Sequence, residues 1–104
     1  LPTRQAVGGF HPQSPALAVS DTTGFSRWSI HFGETIGVKK SSAQITALYA
    51  PEDLIGRQVI CCMNLAPIHI GSVKSEVRIL GTDSDQGVVL LQPSEKVKNG
   101  DRVF

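Results

Sequence analysis

The longest uninterrupted apolar run in this sequence is Val59-Ile60-Cys61-Cys62-Met63, and its brevity limits what the chain can fold into. A membrane-spanning helix needs about 20 apolar residues in a row, so membrane insertion is not expected. Elsewhere the apolar residues come in still shorter pieces, interrupted by 10 Gly and 6 Pro along 104 residues. Such punctuation favours short strands and tight turns over long helices. A chain of this length reads as one domain over residues 1–104. It is large enough to bury a core without a metal or disulfide staple. The 10 Lys and Arg stand against 9 Asp and Glu, a net charge of +1, which excludes a strongly basic coat. Contact with nucleic acid would therefore have to use a local patch. The beginning, Leu1-Pro2-Thr3-Arg4, lacks a basic stretch followed by a long apolar one, so no export leader is expected there.

Periodicity supplies the elements. Trp28, Ile30 and Phe32 alternate with Arg27, Ser29 and His31, the pattern of a half-buried strand ended by Gly33. Glu34 to Gly37 reads as a turn, and Val38 resumes an extended path. Ser41 to Tyr49 fits either a strand or a helical turn. Pro51-Glu52-Asp53-Leu54-Ile55-Gly56 has Pro at its first position, acids in its first turn and Gly at its end, which predicts one short helix. Gln58 to Leu65 reads as a central strand, and Ala66 to Val73 as a loop or hairpin around Pro67 and Gly71. Ser75 to Leu80 alternates again, Gly81 to Gly87 reads as an acidic turn, and Val88 to Leu91 as a buried strand stopped by Pro93. Asn99-Gly100 signals a tight turn before a last strand from Arg102. Residues 1 to 26 are rich in Pro, Gly, Ser and Thr, with apolar scraps at Ala6-Val7 and Ala16 to Val19, and read as short extended pieces joined by loops. Five or more short strands at regular spacing, with little helix, point to a small closed or partly closed β-barrel.

The chain carries no catalytic signature: no G-x-S-x-G, no Walker A, no H-E-x-x-H and no Cys-x-x-Cys. His11, His31 and His69 are unlinked by any motif, and Asp83 and Asp85 lack the spacing of a calcium loop, so no metal is expected. Cys61 and Cys62 are neighbours that a strand would send to opposite faces, so they are poorly placed to bridge each other. A pair of reduced thiols fits a cytosolic setting. Gly37-Val38-Lys39-Lys40-Ser41-Ser42 sets paired cations beside small hydroxyls, a composition that can hold phosphate but that also suits a polar loop.

From Ile36 onward a resemblance adds to this reading. Ile36-Gly37-Val38-Lys39-Lys40-Ser41-Ser42-Ala43-Gln44-Ile45-Thr46 closely resembles a signature of the CsaA-type secretion chaperones. So do Tyr49 to Val59, Lys74-Ser75-Glu76-Val77 with Leu80-Gly81, Val88 to Pro93, and the late Asn99-Gly100. The motifs run in the right order over about two thirds of the chain. That family is a branch of the tRNA-binding domains appended to methionyl-tRNA synthetases or found as free-standing dimers. The resemblance implies an all-β, five-stranded OB-fold β-barrel with one or two short helices, a homodimer, a cytoplasmic home, and no enzyme activity or cofactor. The wider family's Asn-Leu-x-Pro and Ser-Glu motifs match Asn64-Leu65-Ala66-Pro67 and Ser75-Glu76, which makes Asn64 and Ser75 either contacts to RNA or supports for the loop backbone.

The departures are informative. Ile68 and His69 stand where the family usually has basic residues, and Val77 stands where the synthetase-linked domains have Gly. The family's early Asp-Leu-Arg-x-Gly strand is not evident beyond Arg4, so residues 1–26 read as diverged and loop-rich. Fewer phosphate-facing cations weaken and flatten the salt-dependent part of RNA binding. The expectation is therefore an export-related chaperone that binds apolar segments of unfolded preproteins through Ile68, Ile70 and Val73. Some tRNA binding would persist through Lys39, Lys40, Ser42, Asn64, Lys74 and Ser75. The alternative is a free-standing module that recognises structured tRNA by backbone and shape.

Overall fold

A computed structural model of the chain describes residues 4–11, 26–45, 47–63, 68–70 and 73–104. The main sheet runs in the order β3-β2-β1-β4-β7, with β10 also paired to β1. Its members are β1 (Arg4–Phe10), β2 (Ser26–His31), β3 (Val38–Ala43), β4 (Gln58–Met63), β7 (Arg78–Ile79) and β10 (Arg102–Val103). Every pairing in it is antiparallel. Two ribbons stand apart from that sheet, β5 (Ile68–Ile70) with β6 (Val73–Ser75), and β8 (Gly81–Ser84) with β9 (Gly87–Leu90). The helices are single turns, α1 (Gly33–Ile36) and α2 (Pro51–Leu54). The architecture is a nearly closed, five-stranded OB-like barrel: the strand spacing predicts a small β-barrel, and the OB form is what the resemblance implies.

Arg4–Phe10 holds this arrangement together although its sequence shows only a scrap of apolar character. One edge of β1 pairs with β4 from Arg4 opposite Met63 to Gly9 opposite Gln58. The other edge is divided: Gln5 and Ala6 pair with β10, while Gly9 and Phe10 pair with β2. Gly8-Gly9 lies where this second edge passes from β10 to β2. A Cβ on Gly8 would collide with Ile30 Cγ2 and stand 2.7 Å from Phe32 Cε1. The early strand is thus present without its family motif, because pairing partners and close packing fix it. Ala16 to Val19 and Phe25 lie outside the described residues.

The core lies inside the barrel. Trp28, Ile30 and Phe32 are buried, as their alternation requires, together with Phe10, Leu54, Val59 and Cys61. Phe10 meets Trp28 edge to face at 5.7 Å, and the indole N–H donates to the Ala43 carbonyl at 3.2 Å. Cys61 faces inward and Cys62 is half-buried, both as free thiols.

Several sequence expectations are corrected. Glu34 to Ile36 is not a plain turn but lies in α1, and Gly37 ends it with its N–H on the Gly33 carbonyl at 2.8 Å. Gly81 to Gly87 is not an acidic turn. Gly81–Ser84 is β8, and only Asp85 and Gln86 turn. The ribbon is exposed on its β8 side, so its pairing imposes no apolar alternation and composition misleads there. Val88 to Leu91 is not a buried strand: Leu90 is buried, but Val89 and Leu91 are 39% and 38% exposed. The alternation from Ser75 to Leu80 holds in burial, with Val77 buried, Ile79 packed against the core and Arg78 exposed, but the strand is divided into β6 and β7 at Glu76-Val77.

Candidate functional site

Lys39, Lys40, Ser42 and Ser75 come together where the barrel closes. In the β2–β3 ladder, Lys39 lies opposite Ile30, Lys40 opposite Ser29 and Ser42 opposite Arg27. The other edge of β3 meets the segment leaving β6. The Glu76 N–H donates to the Lys40 carbonyl at 2.8 Å, and the Lys40 N–H donates to Glu76 Oε2 at 2.9 Å. Two residues along β3, the Ser42 N–H donates to Ser75 Oγ at 3.3 Å, and that hydroxyl donates to the Val77 carbonyl at 3.1 Å. These bonds tie the β3 end of the strand path to the segment that leads into β7, and seal the barrel without a continuous ladder.

The seam assigns different positions to the residues that the sequence groups. Lys40 is exposed and Lys39 half-buried, and as neighbours in a strand they point to opposite faces of the sheet, Lys39 to the face of Ile30 and Lys40 to that of Ser29. Ser42 and Ser75 are 9% and 8% exposed, and the Ser75 hydroxyl is already engaged on both sides. Lys74 lies opposite His69 in the β5–β6 register, immediately before Ser75. Asn64 lies outside the described residues. Glu76 is the member that sequence reasoning did not single out for this role. Its carboxylate accepts from the Lys40 backbone and puts a negative charge beside β3. The Ser-Glu dipeptide signals it, but only the closure of the barrel shows what the Glu holds.

The residues expected to meet apolar peptide are in the β5–β6 hairpin, with Ile68 opposite Ser75 and Ile70 opposite Val73. Exposed apolar side chains occur elsewhere as well. Leu48, Ile55, Val89 and Leu91 are between 38% and 44% exposed. Val89 and Leu91 belong to or follow the β8–β9 ribbon, and the Tyr49 hydroxyl accepts from the Leu90 N–H at 3.1 Å, which ties the 47–49 turn to it. Arg57 lies 5.3 Å from the centroid of the Tyr49 ring, a cation–π contact that draws this cation toward the same side of the molecule.

No catalytic constellation is assembled among the described residues. Burial, with the neighbouring Cys62 as a second cause, pushes the Cys61 thiol up to about 12, which keeps it protonated and unreactive. Among the described residues, no group of three or more His, Cys, Asp or Glu comes together to hold a metal. Among the same residues, no helix is long and apolar enough to cross a membrane.

Comparison with known proteins agrees with this geometry. The chaperone CsaA of Bacillus anthracis is 37% identical and superimposes with a TM-score of 0.80, covering 98% of this chain and 90% of that one. The CsaA chaperone protein of Picrophilus torridus is 34% identical with a TM-score of 0.82, covering 98% and 92%. The methionine–tRNA ligase of Methanothrix thermoacetophila is 41% identical over 66 residues, which are 62% of this chain and 10% of the ligase. The chain thus spans about a tenth of the curated ligases it matches. The family model for the tRNA binding domain matches residues 18–102. This chain, an OB-like barrel matched over most of its length by that model and by CsaA structures, belongs to the tRNA binding domain family, in its CsaA-type branch.

Proposed function

We propose that this chain is a homodimeric, export-related chaperone of the cytoplasm that binds apolar segments of unfolded preproteins. It would work by reversible binding, without catalysis, nucleotide or metal, and would keep a capacity for tRNA. The observation that carries this reading is the end-to-end match to two proteins named as CsaA chaperones, at 37% and 34% identity. Physical support comes from the apolar side chains left in water at Leu48, Ile55, Val89 and Leu91. An exposed apolar surface with polar neighbours is what a binder of extended, greasy peptide requires. The β5–β6 hairpin with Ile68, Ile70 and Val73 is proposed as a second part of that surface, and Lys39, Lys40, Ser42, Asn64, Lys74 and Ser75 as the tRNA-facing set.

A second reading, a free-standing module for structured tRNA, is favoured by the family match itself and by the lysines along β3. Fluorescence anisotropy separates the two. Labelled bulk tRNA and a labelled apolar presequence peptide are titrated in parallel at low and at physiological salt. The chaperone reading expects peptide binding that survives salt and weaker tRNA binding that does not. Steeply salt-dependent tRNA binding with no peptide binding would transfer the function to the second reading.

A further inference from the structure

A cleft of about 340 Å³ opens at the Gln58 end of β4, the end remote from Met63. Gly9, His11, His31, Gln58, Lys96 and Asn99 contribute to its walls, and no Asp or Glu is among its described lining residues. The volume falls at the lower end of the range of small-ligand sites, about 300 to 1,000 Å³.

The walls are held by hydrogen bonds between distant parts of the chain. Gln58 grips the 96–99 segment at both ends of its amide. Its Oε1 accepts from the Val97 N–H at 3.0 Å, and its Nε2 donates to the Val97 carbonyl at 2.5 Å and to Asn99 Oδ1 at 2.9 Å. That last bond fixes which way the Asn99 amide faces, so Nδ2 is the donor it offers. The amide lies flat over Gly9, where an added Cβ would stand 2.9 Å from Nδ2. His31 is fixed as well. Its Nδ1 accepts from the Gly33 N–H at 3.1 Å, which places the ring proton on Nε2 and makes that atom a donor. Lys96 adds a full positive charge. The cleft therefore offers three donors from two distant parts of the chain, His31 of β2 and Lys96 and Asn99 of the 96–99 segment, one of them charged, with no carboxylate among its described lining residues. Glu95 lines the shallower depression beside it.

A carboxylate presents two oxygens to such a wall, whereas a phosphate monoester presents three and carries more charge. We propose that this cleft binds a phosphate monoester of mononucleotide size, with His31 Nε2, the Lys96 ammonium and Asn99 Nδ2 taking its oxygens. The ligand is either a free nucleotide or the phosphorylated end of an RNA. The site does not depend on the chaperone or tRNA reading.

The test is an amide-resolved NMR titration of the full chain with inorganic phosphate, AMP, adenosine, and a trinucleotide RNA with or without a 5′-phosphate. Saturable shifts at Gly9, Gly56 and Lys96 are expected with AMP and not with adenosine. Lys96→Gln should weaken AMP by about two- to fivefold, as expected for an exposed ion pair. His31→Asn keeps an acceptor for the Gly33 amide but deletes the Nε2 donor, and should weaken AMP while the spectrum stays dispersed. Lys39→Gln should change nothing at these amides. A phosphorylated trinucleotide that outcompetes AMP assigns the site to RNA ends, and the reverse assigns it to free nucleotides. The proposal is overturned if AMP gives no saturable shift there, if adenosine matches AMP, or if AMP affinity follows Lys39 rather than Lys96.

Discussion

Cys61 illustrates how burial alone decides what a side chain can do. Its sulfur has no exposed surface, and desolvation holds the thiol's ionisation near 12 rather than 9. A thiolate attacks the sulfur of a disulfide reagent and expels the reagent's other half as a thiolate, so folded protein should be modified at half-buried Cys62 and take up a second equivalent only on unfolding. The same shift has a sign for stability. The folded state keeps its proton where the unfolded state loses it, so this contribution is intact below pH 9 and falls as pH rises from about 9 to about 12. The slope is about 1.4 kcal/mol per pH unit at most. Urea midpoints measured across that window should decline more steeply for the wild type than for Cys61→Val, and equal slopes would contradict the assignment. Gly8 makes a complementary case. Its Cβ position is already occupied by Ile30 and Phe32, so Gly8→Ala overpacks the barrel and should cost about 1–3 kcal/mol in a urea melt.

At the scale of elements, the barrel is closed by a few bonds rather than by a ladder, and Ser75 accepts one of them from Ser42 while its own hydroxyl is anchored on the Val77 carbonyl. Ser75→Ala leaves the buried Ser42 N–H without its acceptor, which costs about 1–3 kcal/mol. Hydrogen exchange should then quicken at the β3–β6 seam before it does in the β1–β4 ladder, and uniform acceleration would show that the seam is not a separate unit. This seam also marks the limit of what the sequence discloses. Trp28, Ile30 and Phe32 announce their strand because one face is buried and the other is wet, and α2 announces itself through Pro51, its acids and Gly56. β1 and β8 do not. β1 is held by pairing on both edges and by two glycines against aromatic and amide groups, so its sequence needs no apolar pattern. β8 is exposed and therefore polar. The lysines and serines of β3 are legible as the run Lys39-Lys40-Ser41-Ser42, but the anchoring of Glu76 and the clamp of Gln58 on Asn99 join residues 36 and 41 positions apart, and no local pattern encodes them.

For the whole molecule, the net charge of +1 means that no long-range field gathers RNA, so any affinity must come from the arrangement of a few cations. Glu76 lies at the seam and offsets part of the charge on β3. Lys40 holds Glu76 through its backbone N–H and carbonyl, not its ammonium. A Lys39→Gln, Lys40→Gln double variant should therefore fold normally while neutralising fewer phosphates. For every phosphate no longer neutralised, the slope of log affinity against log salt falls by about 0.7 to 0.9. Anisotropy with tRNA across a salt series should show a shallower line for the variant and weaker binding at low salt. Affinity for an apolar presequence peptide should not change, because burial of apolar surface is insensitive to those charges. An unchanged tRNA slope would remove the β3 lysines from the RNA-facing set. Loss of peptide binding in the same variant would mean that peptide and RNA share one surface, in which case tRNA should displace the peptide from the wild-type protein.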